Sequence, residues 1–208
     1  DLEELLGTVR DVLVRQAAIS DVEVRSFATG VTDVFRMVFP ATQTPVKVGD
    51  ISALGIDISS SSFARSALHV RGLVWRLKCT NGLRVGESTG AFSFRHVGDS
   101  RRLRDGITEA IPSALVQARG LMQRWQVAVG TMVTDVAAQI EHLTQLTVAE
   151  KKKVEEKLVL EVGSSKLPER VSAYEFLNAI TASAHEAVPA RRLDIESTAG
   201  SLLRKLVA

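Results

Sequence analysis

The sequence predicts an α+β fold, and three observations carry that reading. Between residues 22 and 97 apolar side chains alternate with polar ones at period two, the mark of half-buried strands. From Pro112 the apolar spacing changes to three and four, the mark of a helix. Helix-start signatures then recur to the end of the chain. The expected order is an N-terminal helix, an antiparallel sheet with hairpins, a long helix packed on the sheet, and a C-terminal helical module. The expected division is residues 1–146 for the α+β core and 147–208 for the module.

Taken in order, Leu2, Leu5, Leu6, Val9, Leu13 and Ala17 form one apolar stripe over residues 2–18. Residues 22–39 read as a hairpin with Gly30 in its turn, where a positive φ is cheap. Pro40 and Pro45 are expected to bracket a loop, because proline cannot donate to a strand ladder. Leu54, Ile56 and Ile58 mark a strand over 50–58, and the run Ser59–Ser62 reads as a turn or polar edge, with no Gly-x-Ser-x-Gly elbow around it. The strongest strand covers 68–79. Asn81-Gly82 after it signals a type I′ turn into a return strand through Leu83 and Val85, and Phe92 and Phe94 continue the sheet. Pro112 suits a first helical turn, and the stripe from Leu115 to Leu143 predicts a helix of about 30 residues, roughly 45 Å long. Its length predicts self-association through residues 115–143, unless the C-terminal helices fold back over it. Thr147 with Glu150 and Ser172 with Glu175 are capping boxes opening two helices. Pro189 is expected to end the second, and a last helix covers about Ser197 to Leu206.

Composition narrows the function classes. Hydrophobic residues are 45% and charged residues 24%, which is ordinary globular usage. No apolar run approaches the roughly 18 residues that span a bilayer. Asp1-Leu2-Glu3-Glu4 carries no secretory signal pattern, and Cys79 is the only cysteine, so no disulfide forms within the chain. A reducing, cytoplasmic setting is the expectation. His69, His96, His142 and His185 show no metal-ligand spacing, no glycine-rich phosphate loop is present, and neither metal nor cofactor is expected. Trp75 and Trp125 sit inside apolar periods and are assigned to the core. No enzyme motif occurs, and the chain reads as a non-enzymatic protein.

Charge is distributed unevenly. Arg65, Arg71, Arg76, Lys78, Arg84, Arg95, Arg101, Arg102 and Arg104 face only Glu87 and Asp99, a local charge of +7, so the remainder carries −5 of the overall +2. A basic centre in an acidic remainder is the footprint of a phosphate-binding face, and equally the polar side of a sheet. Arg71, Arg76, Lys78, Arg84, Arg95, Arg101, Arg102 and Arg104 are the candidate nucleic-acid contacts.

The run Leu73-Val74-Trp75-Arg76-Leu77-Lys78-Cys79-Thr80-Asn81-Gly82-Leu83 resembles the strand and turn of a phage- and plasmid-borne family, domain of unknown function 932. Ser59–Ser62, Phe94-Arg95-His96-Val97-Gly98 and Asn178-Ala179-Ile180-Thr181 resemble its pattern too, although that family usually has an Asn-Ser pair where this chain has serines alone. The resemblance implies a role in replication, recombination or host defence. In chain order the sequence is also similar to the single-strand annealing proteins of the RecT, Redβ and Erf group, which implies oligomers holding single-stranded DNA in a basic groove. The resulting expectation is a single-stranded DNA-binding or annealing protein. The alternative is a regulatory or anti-defence protein-interaction domain with the C-terminal helices as its contact surface.

Overall fold

The computed structural model describes residues 2–17, 21–29, 32–60, 68–77, 81–84, 92–94 and 100–207; side chains are described in these except at 2–6, 16, 17, 60, 81–84, 92–94 and 100–104. Helix α1 (Leu2–Ala17) precedes strands β1 (Glu23–Ala28), β2 (Asp33–Lys47), β3 (Asp50–Ser60), β4 (Leu68–Arg76), β5 (Asn81–Arg84) and β6 (Phe92–Phe94). Helix α2 (Ser100–Val127) follows, then β7 (Met132–Thr134), α3 (Val136–Glu141), α4 (Val148–Val162), β8 (Arg170–Ser172), α5 (Ala173–Ser183) and α6 (Pro189–Leu206). The large sheet is antiparallel in the order β1-β2-β3-β4-β5, with β6 pairing β4, and β7 pairs β8 separately. The α+β class, the hairpins, the N-terminal helix and the long helix on the sheet are as the period change predicts.

Alternation sets the two faces of the sheet. Phe35, Met37, Ile56, Ile58, Val70 and Val74 are buried on the face that α2 covers, with Ile107, Ile111, Leu115 and Trp125 from the helix above them. Gly72 lets the two layers touch: a Cβ there would lie 2.6 Å from the Ala114 carbonyl oxygen and 2.7 Å from the Ala118 nitrogen. Leu115, Ala118, Leu121, Met122 and Trp125 of α2 are thus buried within the chain.

Several boundaries differ from the sequence expectations. Pro40 and Pro45 lie inside β2. The pairing with β1 ends at Val38, so beyond it no strand among the described residues pairs with that side of β2, and its register with β3 shifts between Phe39 and Thr44 and again between Pro45 and Lys47. Edge and bulge are where a strand tolerates proline. Asn81 and Gly82 lie in β5, paired with Arg76 and Trp75, so the chain reverses before this dipeptide. Ser59 belongs to β3 and is buried. Helix α2 starts at Ser100 and holds Pro112 in its interior, then stops at Val127. The apolar spacing persists past that stop because Val133, Val136, Ile140 and Leu143 enter the same core from β7 and α3 and the turn after it. Pro189 opens α6 at its first turn, where its missing N–H is not needed, and does not close α5. Gly30, Cys79, His96 and the residues 61–62 lie outside the described residues.

Both capping boxes form as the sequence predicts. The Thr147 hydroxyl accepts from the Glu150 N–H at 3.3 Å while the Glu150 carboxylate accepts from the Thr147 N–H at 2.8 Å, and Ser172 with Glu175 repeats this at 3.1 Å in both directions. The core does not divide at residue 147. One apolar cluster holds Val9, Phe35, Trp125, Leu158, Tyr174 and Leu203, and the β7–β8 ladder crosses the boundary. Among the described residues no helix is long and apolar enough to cross a membrane.

Candidate functional site

The face of the sheet opposite α2 carries a row of charges. Arg25 of β1 is in register with Arg36 of β2, Arg36 with Asp57 of β3, and Asp57 with Arg71 of β4. Paired residues of an antiparallel sheet share a face, so four strands contribute one charged rung. Helix α6 closes over it. The Arg36 guanidinium donates to Asp57 through Nε at 2.9 Å and Nη2 at 3.0 Å, and to Glu196 of α6 through Nη1 at 3.2 Å and Nη2 at 2.6 Å. Arg192 donates from Nε to Glu196 at 3.1 Å. Arg36, Asp57 and Glu196 are each at most 1% exposed.

Fork-to-fork geometry on both sides of one guanidinium is the arrangement that lets a buried charge survive desolvation. Burial alone makes the Arg36 cation less basic; Asp57 and then Glu196 more than reverse this and hold it above the ordinary arginine range. Arg36, Arg192, Asp57 and Glu196 sum to zero charge.

Aromatic rings surround these cations. Arg36 stands over Trp75 at 4.8 Å and over Phe27 at 5.7 Å. Arg25 stands over Trp75 at 5.2 Å, and Arg192 over Phe27 at 5.9 Å. Together with His185 and Pro189 they line a cleft of about 490 Å³. Trp75 is 2% exposed, a core residue as expected, yet its ring forms the cleft floor. Arg25 is the exposed member, holding Glu23 at 3.3 Å at the surface. Arg25, a planar cation on an aromatic face at the surface, offers its outer face for stacking and its N–H edge to an anion; the N–H groups of Arg36 are taken by Asp57 and Glu196.

The candidate contacts from the basic segment separate. Arg76 is 4% exposed and lies on the α2 side of the sheet, where its guanidinium holds Asp50 and reaches Glu161 of α4 at 2.9 Å, over the Tyr174 ring at 5.7 Å. Its role here is to tie β3 and β4 to α4 and α5, and it is withdrawn from solvent. Burial raises the Tyr174 phenol far above the ordinary tyrosine range. Arg71, 6% exposed, belongs to the charged rung. Arg84 lies in β5, and Arg101, Arg102 and Arg104 lie in the first turns of α2, with their side chains outside the description. Lys78 and Arg95 lie outside the described residues. Arg25, Arg36, Asp57, Arg192 and Glu196 were not singled out by the sequence reading. Their signal was present: Arg36 and Asp57 each interrupt a run of strand residues that is apolar on both sides.

A second, larger cleft of about 840 Å³ flanks the same rung. Thr29 and Thr32 between β1 and β2, Ser59, His69 and Arg71 form its sheet side. His142 to Gln145 and one side of α6, from Ala190 to Lys205, close it. Arg191 there is fixed by Glu150 at 2.7 Å and by Asp194 at 3.6 Å. Among the described residues no group of three or more His, Cys, Asp or Glu is placed to hold a metal ion.

Comparison with protein-family models, with curated proteins and with solved structures finds no match to this chain.

Proposed function

We propose that the protein binds single-stranded nucleic acid without catalysing a reaction, through the arginine–aromatic cleft at the β1 edge and the basic segment 65–104. The observation that carries the reading is the exposed Arg25 guanidinium, held on the buried Trp75 ring beside the part-exposed Phe27 and Arg192. Single strands carry phosphates that pair with arginine and bases that stack on planar side chains; Arg25, Phe27 and Arg192 are the groups of this cleft that reach solvent, while Arg36 and Trp75 support them from below. The charge excess of the 65–104 segment supports the same partner. The likeness to domain of unknown function 932 and to the RecT, Redβ and Erf chain order, resting on the residues quoted above, agrees with a mobile-element annealing role in the cytoplasm.

Anisotropy titrations of labelled mixed, pyrimidine-rich and purine-rich strands at several salt concentrations test this. Each lost phosphate contact flattens the slope of log affinity against log salt by about 0.7. Arg25→Ala is expected to flatten it by about that much, and Arg101, Arg102 and Arg104 replaced together by Ala by about two units, alike for all three strands. Wild-type protein that ignores single strands at low salt overturns the proposal, and the regulatory interaction-domain reading then leads.

A further inference from the structure

The larger cleft differs from the arginine–aromatic one in chemistry. Its described lining holds no Phe, Tyr or Trp, so it offers no ring system for base stacking. Instead it presents hydroxyls from three directions: Thr29 and Thr32 from the sheet edge, Ser59 from β3, and Ser197 and Ser201 from successive turns of α6. Cations bound it at several points. Arg71 of β4 is 6% exposed, Arg191 is clamped by Glu150, and Lys205 is exposed at the far end of α6. Asp194 is the one carboxylate among the described lining residues, set against three permanent cations and two imidazoles. A volume of about 840 Å³ falls in the range of small-molecule sites, on the order of 300–1,000 Å³.

We propose that this cleft binds a small hydroxylated phosphate ester, a sugar phosphate or the sugar-phosphate part of a nucleotide. The phosphate would sit toward Arg71 and Lys205, and the hydroxyls of the ligand would exchange hydrogen bonds with Ser59, Ser197 and Ser201. Charge-assisted bonds fix the phosphate, and neutral hydroxyls select a polyol over a bare anion.

The full-length chain is titrated calorimetrically with ribose 5-phosphate, adenosine monophosphate and inorganic phosphate. Ribose 5-phosphate is expected to bind at least about tenfold more tightly than inorganic phosphate, the factor that roughly one charge-assisted or two neutral hydrogen bonds supply. Comparable or tighter binding of adenosine monophosphate identifies a nucleotide as the source, and weaker binding a sugar phosphate; both support the site. Ser197→Phe, which fills the cleft without changing charge, and Lys205→Glu should each weaken binding by about tenfold or more. Circular dichroism checks that both variants fold. Arg25→Ala should leave this binding unchanged, so failure here and failure of strand binding are separable. Three results overturn the proposal: no binding of any probe, binding indifferent to Ser197→Phe and Lys205→Glu in folded variants, or inorganic phosphate binding as tightly as the esters.

Discussion

Arg36 is the residue on which the most electrostatic structure depends. It satisfies two carboxylates that are themselves removed from water. Replacing it by Met removes the cation that the buried Asp57 and Glu196 share, leaving Glu196 with Arg192 and Asp57 with its neighbours in the rung, which is expected to cost about 3–5 kcal/mol in urea unfolding, while Arg25→Ala at the surface should cost less than about 1 kcal/mol. An Arg36→Met cost below about 1 kcal/mol would show that the pair is not desolvated. Glu150 supplies a pH handle. The hydrogen bond from Arg191 holds its carboxyl at about 2, below the ordinary 4.5, with burial opposing and the Thr147 N–H assisting. A carboxylate depressed in the folded state contributes stability that is complete above the unfolded value and is lost as pH falls from about 4.5 through about 2. The urea midpoint of Glu150→Gln should therefore fall less steeply across that window than that of the wild type. Such residue-scale facts were the least legible in the sequence. Arg36 and Asp57 are 21 positions apart and Arg36 and Glu196 are 160 apart, and no local pattern joins them.

At the scale of elements, the fold was legible wherever periodicity and capping decide the outcome locally. Strands β1 to β4, α1 and the two capping boxes follow from alternation, from three-and-four spacing and from paired Thr–Glu and Ser–Glu residues. The errors share a cause, which is tertiary contact overriding a local signal. Asn81-Gly82 is a strong turn dipeptide, yet pairing with Trp75 and Arg76 claims it for β5. Pro112 costs α2 a backbone hydrogen bond, yet Ile107, Ala110 and Ile111 before it are buried against the sheet, and that burial carries the helix through. The contact between β4 and α2 is itself testable. Gly72→Ala would drive a methyl into the backbone of Ala114 and Ala118, neither of which can rotate aside. The expected loss is about 1–3 kcal/mol, read from thermal unfolding, with the α2 amides exchanging faster than those of α5. A neutral effect would mean that the two layers slide apart at no cost.

For the whole molecule, the core sets the unit of folding. The apolar cluster, the β7–β8 ladder and the Arg36–Glu196 pair all join residues before 147 to residues after it. The described chain is expected to unfold in one transition by near-ultraviolet and far-ultraviolet circular dichroism alike, and a fragment ending at residue 146 should show no cooperative transition. Two separable transitions, or a fragment that folds, would restore the division expected from the sequence. The candidate binding surface belongs to this scale too, since β1, β2, β4 and α6 each contribute a cation or a ring to it.

The charged rung also acts as a proofreading device for strand alignment. Hydrophobic alternation distinguishes a correct register from a one-residue slip, because that slip turns the apolar face outward, but it is blind to a slip of two. A two-residue slip of β2 against β3 would set Arg36 opposite Gly55 or Ser59 and leave Asp57 facing Val34 or Val38, with unlike charges parted in a dry interior. Glu196 adds a second key, because it bonds the same guanidinium from α6. Alignment is thus specified twice, once between the chain's own strands and once by its last helix.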